Sequence, residues 1–72
     1  MKLKVYFAKP TGLFEGGMAI VAANNEEEAL WLLRIDDLGS RFTGFDLKEI
    51  GGYFLEGKDV KPYIIETALD VY

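Results

Sequence analysis

Neither cysteine nor histidine occurs anywhere in this chain of 72 residues. Their absence removes disulfides, thiolate nucleophiles, the imidazole general base and the usual side chains for structural zinc or haem. Ser40 is the only serine; it follows a glycine and has no histidine to activate it. No apolar run approaches the roughly 18 residues of a membrane span. The opening MKLKVYFAKP interleaves basic with apolar residues and contains no separate hydrophobic region of an export signal, so the chain reads as cytoplasmic. Positive charge is also in short supply, with 8 Lys and Arg against 12 Asp and Glu for a net charge of −4. Lys2, Lys4 and Lys9 form the one local basic cluster, and no RNP-type strand motif accompanies them. Direct nucleic-acid binding is therefore not expected. What is left is a single domain over residues 1–72, expected to be non-enzymatic, with no catalytic residue, metal or cofactor.

Apolar residues, by contrast, make up half of the chain and aromatic residues 14%. A domain of this length buries only about 60% of the surface its unfolded chain exposes. Its large side chains must fill a small core or build an interface.

Leu3, Val5 and Phe7 alternate with Lys2, Lys4 and Tyr6, the period of a half-buried strand, which Pro10 and Gly12 end. After a loop over Pro10 to Gly17, the unbroken apolar run Met18 to Ala23 reads as a central or interface strand, paired with the first as an antiparallel hairpin. Asn24 is then expected to cap a helix, with Glu27 in a capping-box relation and Glu26 to Glu28 against the positive end of the helix dipole. Ala29, Leu30 and Leu33, with Ile35 or Leu38, form the inward stripe, and Gly39 is the expected stop. Phe45, Leu47 and Ile50 read as a third strand with a bulge near Lys48 and Glu49. Gly51-Gly52 marks its kink or end, and Tyr53 to Leu55 either continues it or starts a short hairpin across the exposed turn Glu56 to Asp59. Tyr63 to Val71 alternates as a long last strand. The expected class is α+β in the order ββαββ, one helix packed on a four-stranded, mainly antiparallel sheet.

Few constellations carry chemistry. Three consecutive glutamates on a helix point about 100° apart and do not converge on one ion. Asp36 and Asp37 oppose the dipole at the helix end and are expected to be solvated or paired with Arg34 or Arg41. Gly12, Gly16 and Gly17 precede a strand, whereas phosphate-cradling loops open a helix, so the segment reads as a flexible hairpin loop in which Gly16 and Gly17 permit a bulge or a close backbone approach.

The segment GGMAIVAANNEEEAL, residues 16–30, resembles a pattern in small uncharacterised proteins of bacteria, their phages and other mobile elements: a Gly-led apolar strand, a polar cap, then Glu-Glu-Ala. The resemblance covers about a fifth of the chain. It implies a setting of small accessory proteins in which non-enzymatic inhibitors and adaptors are frequent, and it carries over no site residue.

The first functional expectation is a protein-interaction module that occupies a surface on a larger, unidentified protein partner. Phe14, Trp31, Phe42 and Tyr53 are its contact candidates, because aromatics dominate binding hot spots. The second is a homo-oligomeric binder of a small anionic ligand, held by Arg34 and Arg41, the only two arginines. Copies would then associate through sheet edges, with the last strand and Met18 to Ala23 pairing between them as a homodimer.

Overall fold

The computed structural model of the chain describes residues 3–50 and 61–71. In chain order the elements are β1 (Lys4–Pro10), β2 (Glu15–Ala23), α1 (Glu26–Ile35), a 3₁₀ turn (Gly39–Arg41), β3 (Phe45–Ile50) and β4 (Tyr63–Val71). The strands form one antiparallel open sheet in the order β3-β1-β2-β4, and α1 lies on one of its faces. The class is α+β. The readings of Gly51-Gly52 and of Tyr53 to Asp59 lie outside the described residues. Among the described residues no helix is long and apolar enough to cross a membrane.

Strand alternation assigns the faces. Tyr6 and Ala8 of β1, and Ala19, Val21 and Ala23 of β2, are buried with Ala29 and Leu33 of α1, Phe42 and Leu69. Leu47, Ile64 and Phe45 close this layer from the two outer strands. Its central rows are largely alanine, which lets the helix approach the sheet closely. Leu3, Val5 and Ala22 are buried on the opposite face.

Several local expectations shift. The loop between β1 and β2 shortens to Thr11–Phe14, because β2 begins at Glu15 and takes Gly16 and Gly17 into the strand. Gly17 has φ +91, and a Cβ there would run into the Ala68 carbonyl of β4. The glycine is required by this close backbone approach. The N-cap is Asn25, whose side chain accepts from the Glu28 amide at 2.8 Å, and Glu28 Oε1 accepts from the Asn24 amide and side chain, both at 2.9 Å. The cap has moved one residue along, since Asn25 leads into the turn that buries Ala29 and Leu33, and the glutamate's return bond reaches Asn24 rather than the N-cap amide of a capping box.

At the other end α1 stops at Ile35 rather than reaching Gly39. Asp36 turns extended, and its Oδ2 accepts from the Leu38 and Gly39 amides at 3.1 and 2.9 Å. This local bond to the start of the next turn, rather than an arginine partner, explains an acid at an unfavourable end of the helix dipole. Ile35 and Leu38 are consequently exposed instead of inward.

The bulge expected in β3 is absent: β1 and β3 pair without a break from Val5↔Ile50 to Pro10↔Phe45. The irregularity lies between β2 and β4, where Ile20 faces Glu66 and Val21 faces Ile64, leaving Ile65 as the extra residue. Met18 to Ala23 is central, as its two water-averse faces require. Held by β1 on one side and β4 on the other, it has no edge to offer a second copy.

Candidate functional site

The topology gathers one end of the sheet. Pro10, Glu15, Phe45 and Val71 are the strand termini there, and α1, starting after Ala23 at the far end, runs back toward it. Two loops meet at this end, the β1–β2 turn and the segment from the 3₁₀ turn into β3. The Thr11 amide donates to the Gly44 carbonyl at 3.0 Å. Glu15 supplies the rest of the tie: Oε1 accepts from the amides of Gly12 and Thr43 at 3.0 Å each, and Oε2 accepts from the Thr43 amide at 3.0 Å and its hydroxyl at 3.3 Å. One carboxylate thus pins both loops. Nothing in the spacing of the sequence marks Glu15 for this role, because Thr43 lies 28 positions away.

Replacing Glu15 by alanine should cost about 1 to 2 kcal/mol, since the amides it serves are largely open to water once released. Glu15→Gln, keeping one acceptor oxygen, should cost about half as much. Urea denaturation of the two variants checks this, and a loss under about 0.5 kcal/mol for alanine would show that water replaces the clamp.

Beside the clamp is a recess of about 90 Å³, lined by Leu30 and Arg34 of α1, Gly39 and Ser40 of the 3₁₀ turn, and Phe42 to Phe45. The Phe42 and Phe45 rings form its apolar wall, 5.9 Å apart and tilted by 39°. Clefts that enclose drug-sized ligands measure roughly 300 to 1,000 Å³. This one fits a single side chain or a small ion. Ser40 Oγ donates to the Asp37 carbonyl at 3.2 Å, so the lone serine serves the turn.

Of the residues singled out from the sequence, Phe14 sits at the β1–β2 tip, 64% exposed beside Leu13 at 88%, and Trp31 stands out from α1 at 56%. Phe42 does not join them. It is buried in the helix–sheet layer against Phe45, because the chain must cross from the 3₁₀ turn to β3 over the open end of the core, and Phe42 closes it. It is therefore a core residue, not a contact residue. Tyr53 lies outside the described residues. Arg34 and Arg41 are both exposed, and Arg34 alone of the two lines the recess. Among the described residues the one ion pair is Lys4–Glu49, at 3.5 Å between exposed side chains at the far end of the sheet.

Tyr6, also away from the recess, has its hydroxyl pushed above its ordinary range by burial, with Lys4 acting against the shift and Glu49 and Glu26 adding to it. Burial of the ring in the helix–sheet core is the main cause of that shift. Among the described residues no three acidic side chains are grouped to hold a metal ion. No family model matches the chain, and no curated protein or solved structure matches it either.

Proposed function

We propose that the protein is a non-enzymatic interaction module that occupies a surface on a larger protein, in keeping with the setting of small accessory proteins that the resemblance of its strand-to-helix junction implies. The observation that carries this reading is the β1–β2 tip: Leu13 and Phe14 are held out to solvent on a loop that Glu15 ties down. An apolar pair on a fixed backbone loses little freedom on docking, so most of its burial appears as affinity. Trp31 and Ile35, four residues apart on the outer side of α1 and both more than half exposed, offer a second apolar contact. The net charge of −4 favours a partner surface of positive potential.

Native mass spectrometry of the protein purified gently from its own cells tests this. A stoichiometric protein partner is expected with the wild type, and Leu13→Ser with Phe14→Ser should weaken its binding at least tenfold while leaving the melting temperature in place. A bare chain, or a partner held equally well by the double variant, overturns the proposal. The recess beside Arg34 favours the anionic-ligand reading only if a discrete small mass is retained and is lost in Arg34→Ala.

A further inference from the structure

A different side of the molecule, sharing no residue with the hairpin tip, carries a second interaction. β4 is the outer strand beside β2, nine residues long, and nothing among the described residues pairs with its other side. Soluble proteins blunt such edges by keeping them short or by placing proline, lysine or a bulge in them. β3 follows that rule, with six residues that include Asp46, Lys48 and Glu49. β4 has neither proline nor lysine, and Tyr63 and Ile65 are exposed on it. Its protective devices are the bulge at Ile65, toward one end, and the carboxylates of Glu66 and Asp70, which both lie on the face away from the helix.

The direction of the unpaired groups can be read from Gly17. Its missing Cβ would meet the Ala68 carbonyl, so that carbonyl points at β2. Backbone groups of successive strand residues point to alternate sides, which directs the N–H and C=O of Thr67 and Leu69 outward.

We propose that this edge pairs antiparallel with β4 of a second copy of the chain, about a two-fold axis on Thr67. Facing residues in a sheet share a face, so a two-fold axis must fall on a residue. An axis on Glu66 or Asp70 sets that carboxylate against its own copy, and an axis on Ala68 sets Glu66 against Asp70. Like charges directly opposite each other disfavour all three. An axis on Leu69 pairs only the end of the strand. The axis on Thr67 sets Thr67 against Thr67, a favourable cross-strand pair, and Glu66 against Ala68. Beyond the extra residue Ile65, it sets Ile64 against Leu69, both on the helix-bearing face, and Tyr63 against Asp70 on the other. The dimer is isologous and closed, leaving no free β4 edge to recruit further chains. It also supplements a small domain whose central core rows are mostly alanine. Glu66 and Asp70 of both copies come together diagonally on one face, so added salt tightens this dimer.

The chain has no cysteine of its own, so each introduced cysteine is a single reporter. Facing residues of a hydrogen-bonded pair have Cα atoms about 5.5 Å apart, within the span of a disulfide. Under mild oxidation Thr67→Cys should form a covalent dimer at least tenfold faster than Lys9→Cys, an exposed position on β1. Circular dichroism of both variants under reducing conditions confirms that they are folded. Wild-type protein at about 100 µM should sediment as a dimer, and the dimer should strengthen on raising the salt to about 0.5 M. Ala68→Lys, at an exposed position facing Glu66 of the other copy, should tighten it threefold or more. A wild-type monomer at that concentration overturns the proposal. So does a dimer that salt dissociates, or one that crosslinks faster through Ala68→Cys than through Thr67→Cys.

Discussion

Gly17→Ala is expected to lower the unfolding free energy by about 3 kcal/mol, a large share of the 5 to 15 kcal/mol typical of a domain. Two costs combine. An L residue at φ +91 leaves its favoured backbone region, which costs on the order of 1 to 2 kcal/mol. The new methyl group also meets the carbonyl oxygen of Ala68, a backbone atom that cannot swing away as a side chain can. Either Gly17 rotates to a new conformation or β4 moves off β2 at Ala68 and Leu69. Gly44→Ala is the control, because its Cβ would meet only the Thr11 hydroxyl at 3.1 Å, and a loss within about 1 kcal/mol is expected there. Urea denaturation gives both values, and amide hydrogen exchange should show the Gly17 variant losing protection first in β4. A Gly17→Ala variant no weaker than Gly44→Ala would show that β2 accommodates the methyl group freely.

Leu33→Ala should cost about 3 kcal/mol and lower the melting temperature by about 15 °C. Leu33 is fully buried on the inner side of α1, in a cluster where Ala8, Ala19, Ala23 and Ala29 stand beside Tyr6, Val21, Phe42 and Leu69. The alanines of this cluster have no side-chain freedom with which to fill the space left behind, so much of the cavity should persist and its cost should appear. Trp31→Ala, two positions earlier on the outer side of the same helix, should cost under about 1 kcal/mol despite removing a much larger side chain. If Trp31→Ala proved the more damaging, the assignment of the helix faces would be wrong.

How far the sequence reveals this molecule depends on the range of the interaction concerned. The bounds of β4 and the two-sided apolar character of β2 follow from periodicities within each segment and match the structure. β1, read as half-buried on its Leu3, Val5 and Phe7 side, instead turns Tyr6 and Ala8 toward the helix and is buried on both faces, because α1 covers the side that the polar hydroxyl and lysines had marked as outer. The helix cap was legible in kind and displaced by one residue, because Asn24 and Asn25 are both good caps and only packing of Ala29 and Leu33 chooses between them. The end of α1 was misplaced because Asp36, a poor residue by dipole reasoning, is a good one for starting the next turn. The β4 bulge was invisible, since register against β2 is a property of two strands at once.

The candidate site divides in the same way. Phe14 and Trp31, chosen from the sequence as aromatic contact candidates, are exposed, the first at the β1–β2 tip and the second on the outer side of α1. Phe42, chosen on the same ground, is buried because the crossover brings it over the end of the core. Glu15 gave no local sign at all.

Glu15 also bears on the order in which the chain acquires its structure. Its bond to Thr43 encloses 28 positions, including most of β2 and the whole of α1. Closing a loop of that length costs chain entropy that a single solvent-facing carboxylate does not recover unaided. The contact is therefore expected to form after the helix has docked and the 3₁₀ turn is in place, on the native side of the folding barrier, so that Glu15→Ala should speed unfolding and leave the folding rate nearly unchanged. Contacts of that kind govern the lifetime of the folded state rather than the speed of reaching it. Glu15 acts as a latch: without it, the hairpin tip and the crossover would be the first parts of the molecule to open.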